Sequence, residues 1–211
     1  MSKVYKPLNL PITIWLVIIL ILVFFIEQFL PANIFNLLMF YPHYALKYPW
    51  MFITSLFLSA PIQAGGFYQL LFDGLALFFL GLAFEYFYGS KQLLILFFLS
   101  GIFGNIAFLI QYYNNPLIAG LGSSGAISGI LGALAILKPK EKVIIFPIIM
   151  PIDMIYAAIF WIIFNAIGII YPFTSLGFSA HLGGTLFGML YGYIYKRKFC
   201  EKEDTIINLY N

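Results

Sequence analysis

The chain has 211 residues, 63% of them hydrophobic and only 9% charged, with a formal net charge of +3 and a mean hydropathy of +0.97. A soluble domain of this size needs far less apolar surface, so the composition excludes an ordinary water-soluble enzyme and points to a polytopic membrane protein. The single cysteine, Cys200, excludes an intrachain disulfide and a Cys-rich metal site.

The predicted elements are all helical. Residues 1–10 form a short polar lead carrying Lys3 and Lys6, followed by a first spanning helix over about 11–30. That run matches the roughly 20 residues a bilayer core requires. It lacks an Ala-x-Ala-like exit, so it reads as an uncleaved signal anchor. Residues 32–66 are aromatic, broken by Pro42, Pro49 and Pro61, and include His43, Lys47 and Trp50. Such a segment suits the membrane interface and predicts a partly embedded first loop with one or two short helices.

Further spans are expected over about 67–88, 91–112, 122–137, 151–171 and 180–195. The fourth is unusually short, stopping before Lys138-Pro139-Lys140, and a Pro147/Pro151 segment breaks regular helix before the fifth. The expectation is one membrane domain of six transmembrane helices over 11–198, with a cytoplasmic N-terminal segment over 1–10 and a cytoplasmic tail over 199–211. With the N-terminus inside, ten of the eleven Lys and Arg residues are cytoplasmic: Lys3, Lys6, Lys91, Lys138, Lys140, Lys142, Lys196, Arg197, Lys198 and Lys202. Only Lys47 falls outside. The positive-inside rule selects this topology, with the starts of the fourth and sixth helices near the outer face of what reads as a prokaryotic cell membrane.

Polar residues inside the spans are the candidates for chemistry. The fourth span opens Gly120-Leu121-Gly122-Ser123-Ser124-Gly125, and Gly122, Gly125, Gly129 and Gly132 recur along one helical side that admits a close neighbour. Ser124 sits near the start of that helix, where backbone N–H groups lack intrahelical partners and the macrodipole favours negative charge. The sixth span opens Ser179-Ala180-His181, with His181, Gly184 and Gly188 on one face. If the two glycine faces meet, His181 reaches Ser124 at the same depth and can take its proton as general base. Taken singly, a small-residue motif and a lone histidine are explained by helix packing. Together, on two glycine-faced helices, they read as a Ser–His dyad, with no third member evident in the sequence.

These motifs resemble the rhomboid intramembrane serine proteases of the basic six-helix type. Gly122-Ser123-Ser124-Gly125 is similar to that family's Gly-x-Ser-Gly, and Ala180-His181-Leu182-Gly183-Gly184 with Gly188 to its histidine helix. Glu85-x-x-x-Gly89 and Ser100-Gly101-x-x-Gly104-Asn105 share the family pattern, and the resemblance runs over about 51–198. It implies a six-helix rhomboid-like bundle, with Ser124 as nucleophile and His181 as base. The implied reaction is hydrolysis of a peptide bond in or near a substrate's transmembrane helix, and the loop over 172–179 and the fifth span would serve as lid and lateral gate.

Departures fall at informative positions. The His and Asn that help stabilise the oxyanion in rhomboids correspond to Gln69 and Asp73. Gln69 retains an amide donor, whereas Asp73 donates only when protonated. Asp73 is therefore expected to be neutral in the active enzyme, with the alternative that it only ties helices together. The aromatic residue four after the serine, which packs on the histidine, is Ser128, an exchange expected to loosen that ring. The Trp-Arg pair of the first loop is Trp50-Met51.

His43 reads as a surface residue, Glu85 as a fastener of its helix end, Glu27 as reaching the interface and Asp153 as a helix cap. His-Glu-x-x-His is absent and there are two histidines in all, which excludes a zinc protease. Asp73 and Asp153 lie at different depths, which excludes an aspartyl one. No metal, cofactor, nucleotide or nucleic-acid signature is present, so the expected partners are transmembrane-helix substrates and the lipid bilayer. The competing reading is a catalytically inactive rhomboid-like protein that binds transmembrane helices without cleaving them.

Overall fold

A computed structural model of the chain describes residues 10–145, 148–171 and 177–209. The lead over residues 1–9 and most of the expected lid, 172–176, lie outside the described residues. Each of the six apolar runs folds as a helix: α1 (Ile12–Glu27), α4 (Gly66–Tyr88), α5 (Ser90–Tyr112), α6 (Ser124–Leu137), α7 (Met154–Ile170) and α8 (Phe178–Leu209). The last continues well beyond the expected end at Tyr195. Two of them, α4 and α5, are long and apolar enough by themselves to cross a bilayer. The first loop contributes two short helices, α2 (Ala32–Leu38) and α3 (Met51–Thr54), and two 3-10 turns, Ser55–Phe57 and Ile62–Ala64.

The α6–α7 connection is a two-stranded antiparallel hairpin, β1 (Lys142–Ile145) with β2 (Ile148–Asp153), pairing Lys142 with Asp153 and Val143 with Ile152. Lys142 Nζ also holds the Asp153 carboxylate in an ion pair. This corrects the expected cap: Asp153 precedes α7, but its side chain makes no capping bond there. The opposite charge of Lys142, held across the ladder, has taken it.

Helix α6 is the hub. Gly125 through Ala135 are all buried, and α4, α5, α7 and α8 pack around it. Small residues permit this. A Cβ on Gly184 of α8 would lie 2.0 Å from the Gly125 carbonyl oxygen, and one on Gly188 would lie 1.9 Å from that of Gly129. The two glycine faces therefore approach backbone to backbone, the contact that small-x-x-x-small spacing allows. Outside this hub the exterior stays apolar, with Leu22, Phe25, Phe79, Ile110, Ile163 and Leu190 all exposed. Water would penalise such a surface and hydrocarbon does not, so the chain is a membrane protein.

Two carboxylates tie the periphery. Glu85, near the end of α4, accepts from Ile12 N at 2.7 Å, Thr13 N at 2.9 Å, Thr13 Oγ1 at 2.7 Å and Ser90 Oγ at 2.6 Å. It thus satisfies orphan N–H groups at the start of α1 and fastens three helices at one end. Glu27 does not reach the interface as expected. It is buried, and both its oxygens lie 3.2 Å from Ser59 N, because the first loop folds back over the end of α1.

The same loop is bound to the segment entering α6. Phe40 and Gly120 exchange backbone hydrogen bonds of 2.9 and 2.8 Å, and Gly122 N donates to Ser55 O at 2.9 Å. Asn105 of α5 adds bonds from Nδ2 to Phe52 O and Ser55 Oγ, both 3.1 Å. Trp50 holds the loop through Nε1 to Leu37 O at 3.0 Å, and Met51 is buried beside Phe40 and Phe108. Packing and backbone bonds thus supply the anchor that no arginine provides. His43 sits on this loop, its Nδ1 3.1 Å from Tyr113 O.

Candidate active site

Ser124 is the first residue of α6, half-buried, with its hydroxyl at the mouth of the helix. His181, one turn into α8, is 3% exposed. Because the glycine faces bring α6 and α8 into backbone contact, the imidazole spans the remaining gap: His181 Nε2 lies 2.7 Å from Ser124 Oγ. At that separation a proton can pass between the two atoms directly.

Gly122 departs from the expected packing face. It precedes the helix with φ +117, and a Cβ there would sit 2.4 Å from Gln69 Nε2. Its role is to let the chain turn steeply into α6 beneath the Gln69 amide, a left-handed turn that favours glycine. Gln69 is held at both ends, Oε1 accepting from Ala60 N at 3.0 Å and Nε2 donating to Leu121 O at 3.3 Å. One of its two amide hydrogens remains for another acceptor.

Asp73, one turn along α4, reaches the same helix start. Its Oδ2 accepts from Ser123 N at 3.1 Å and Ser123 Oγ at 3.0 Å. Ser123 makes no cap of its own, so a carboxyl from another helix takes over the capping function, where the macrodipole favours it. The structure brings Ser124, His181, Gln69 and Asp73 to one place. Asp153 takes no part.

Two residues of α7 complete the cluster, and sequence reasoning missed both. Asn165 is fully buried, with Oδ1 2.9 Å from His181 Nδ1 and Nδ2 donating to Trp161 O at 2.7 Å. Trp161 covers the imidazole, and its Nε1 donates to Ser128 Oγ at 3.0 Å. Ser128 in turn donates to Ser124 O at 2.7 Å. The exchange of an aromatic for Ser128 therefore leaves the histidine covered, because a ring from α7 occupies the space that the small Ser128 opens. An asparagine within the apolar run Met154–Ile170 was the available signal.

A family model described as Rhomboid domain matches residues 46–198. Rhomboid protein 1, mitochondrial, of Saccharomyces cerevisiae is 32% identical over 141 residues, covering 65% of this chain and 40% of the yeast protein. The chain thus spans well under half the length of that curated relative. Since the relative is mitochondrial, the similarity lends no weight to a prokaryotic cell membrane.

Proposed function

We propose that this chain, which belongs to the rhomboid family, is an intramembrane serine protease that hydrolyses peptide bonds in or near transmembrane helices. The observation that carries this reading is the 2.7 Å contact between Ser124 Oγ and His181 Nε2 at the start of α6. As Oγ attacks the scissile carbonyl carbon, its proton passes to Nε2 and the C=O electron pair moves onto oxygen. Collapse of the tetrahedral intermediate breaks the C–N bond, and the imidazolium returns the proton to the leaving amine. A water molecule, deprotonated by Nε2, then attacks the acyl-enzyme, and Ser124 regains its hydrogen as the new carboxyl group leaves.

Charge on the oxyanion develops beside the N-terminus of α6, where backbone N–H groups and the helix dipole act on it. Gln69 brings its second amide hydrogen to the same place. Asp73 adds a donor there when protonated.

In the bilayer we read α1, α4, α5, α6, α7 and α8 as six spans, with both termini cytoplasmic by the positive-inside rule. The 14 residues of α6 extend about 21 Å at ~1.5 Å per residue, short of the ~30 Å core. Ser124 is then recessed from the outer face, and the water that hydrolysis consumes would reach it from that side.

The test is cleavage in liposomes of a transmembrane substrate whose helix is destabilised by Gly and polar residues. Wild type cuts and Ser124→Ala does not. A second reading, a rhomboid-like protein that binds helices without cutting, draws on Asp73, whose carboxyl already takes the Ser123 N–H where an oxyanion would gather. It predicts no cleavage by wild type, and equal binding of a labelled transmembrane peptide to wild type and Ser124→Ala.

A further inference from the structure

The proton transfers above leave Asn165 unused, although it is a fully buried amide inside an apolar helix. Its two contacts set each other's polarity. The Trp161 carbonyl can only accept, so the end of the Asn165 amide facing it at 2.7 Å is the NH2. The end facing His181 at 2.9 Å is then the amide oxygen, which also only accepts, so Nδ1 carries the ring hydrogen. In a neutral imidazole this leaves Nε2 bare, 2.7 Å from the Ser124 hydroxyl. The carbonyl of Trp161, on the helix that also supplies the ring over His181, thus dictates which nitrogen can act as base.

We propose that Asn165 is a positioning residue for the hydrolysis, holding His181 in the tautomer and orientation that present an unprotonated Nε2 to Ser124. The result is a Ser124–His181–Asn165 relay drawn from three helices, and it rests on the protease reading. When Nε2 takes the serine proton, the Nδ1–H···Oδ1 bond persists, and the amide dipole stabilises the imidazolium. A neutral amide does this without adding a buried charge, which hydrocarbon surroundings would penalise. A mere tie between α7 and α8 would be indifferent to the ring tautomer, which makes the two roles separable.

The chain has only two histidines, His43 and His181. In a His43→Gln background, isotope-labelled histidine therefore gives a single imidazole whose tautomer nitrogen NMR reads in lipid. That ring is expected to carry its hydrogen on Nδ1, and Asn165→Leu to give a mixture of both tautomers. In liposomes Asn165→Leu lowers kcat on the order of 10- to 100-fold with KM unchanged, a part of the ~10²–10⁴ a positioned general base contributes. Asn165→Asp, which as a neutral acid donates to Trp161 O and keeps the carbonyl acceptor for Nδ1, retains the Nδ1–H tautomer and recovers most of kcat. If Asn165→Leu fails to fold, Asn165→Ala takes its place.

A variant lacking the acceptor that keeps both a single Nδ1–H tautomer and wild-type kcat overturns the proposal. So does a loss of kcat with the tautomer unchanged. Wild type that cuts nothing, with the tautomer switch intact, sinks the protease reading and leaves the hold of Asn165 on the ring supported.

Discussion

The indole of Trp161 lies over the imidazole of His181, ring centroids 5.3 Å apart and planes tilted by 32°. Trp161 enters from α7, whereas rhomboids that carry the usual aromatic residue supply the covering ring from the serine helix, at the position of Ser128. Ser128 keeps a tie to the same ring by accepting its N–H at 3.0 Å. The covering ring thus comes from α7, while the position four after the serine holds a small residue bonded to it.

That arrangement predicts a compensating pair. Aromatic contacts contribute about 0.5–1.5 kcal/mol beyond burial, so Trp161→Ala should lower kcat about 2- to 10-fold. Ser128→Tyr alone should be damaging, since position 128 is 3% exposed and the indole fills the space beyond it. Together the two substitutions should recover activity, because the new ring enters the space that the indole leaves. Measuring kcat for the four proteins closes a double-mutant cycle, and simple multiplication of the single effects would refute the compensation.

Asp73 predicts a pH dependence with a definite sign. On the protease reading a neutral Asp73 would donate to the oxyanion, whereas its ionised form cannot donate and would repel the developing charge. Activity should therefore fall as pH rises through the titration of Asp73, and Asp73→Asn should abolish that alkaline fall. Asparagine keeps an oxygen for the Ser123 N–H while offering a permanent NH2, so the helix start stays capped. Wild-type activity that climbs into the alkaline range would instead leave Asp73 as the tie between α4 and α6 that its two bonds to Ser123 make it.

The glycine contact predicts a contrast between two apparently similar substitutions. Gly184→Ala drives a Cβ to 2.0 Å from the Gly125 carbonyl oxygen, which forces α6 and α8 apart. Overpacking of this kind costs about 1–3 kcal/mol, and it also widens the gap that His181 must span. Gly74→Ala, with nothing within 4 Å of its Cβ, should be neutral or stabilise by up to about 1 kcal/mol through helix propensity. Thermal unfolding of both variants in lipid, with cleavage measured alongside, checks the pair.

How much of this was legible follows from where the information resides. Apolar runs bounded by Pro, Gly and charge marked the six helices, and the glycine rows on the fourth and sixth marked their contact. Glu85 was legible as a fastener because it stands near the end of its helix, where it bonds Ile12, Thr13 and Ser90. Asp153 and Glu27 were misread because each depends on a chain segment folding back on it: a β-strand bringing Lys142, and a loop bringing Ser59 N.

The sequence by itself determined the helices, the Ser124 and His181 pair and the close approach of their two helices. Residue identity and 3.6-residue spacing carry those facts locally. Only the tertiary structure decided that α7 turns Asn165 and Trp161 inward. In a soluble protein, a polar outer face would reveal that rotation. In a membrane protein both the interior and the lipid-facing surface are apolar, so hydropathy does not distinguish them. The rotation of α7 is set instead by packing against α6 and α8, across 33 residues from Ser128 to Trp161 and 16 from Asn165 to His181.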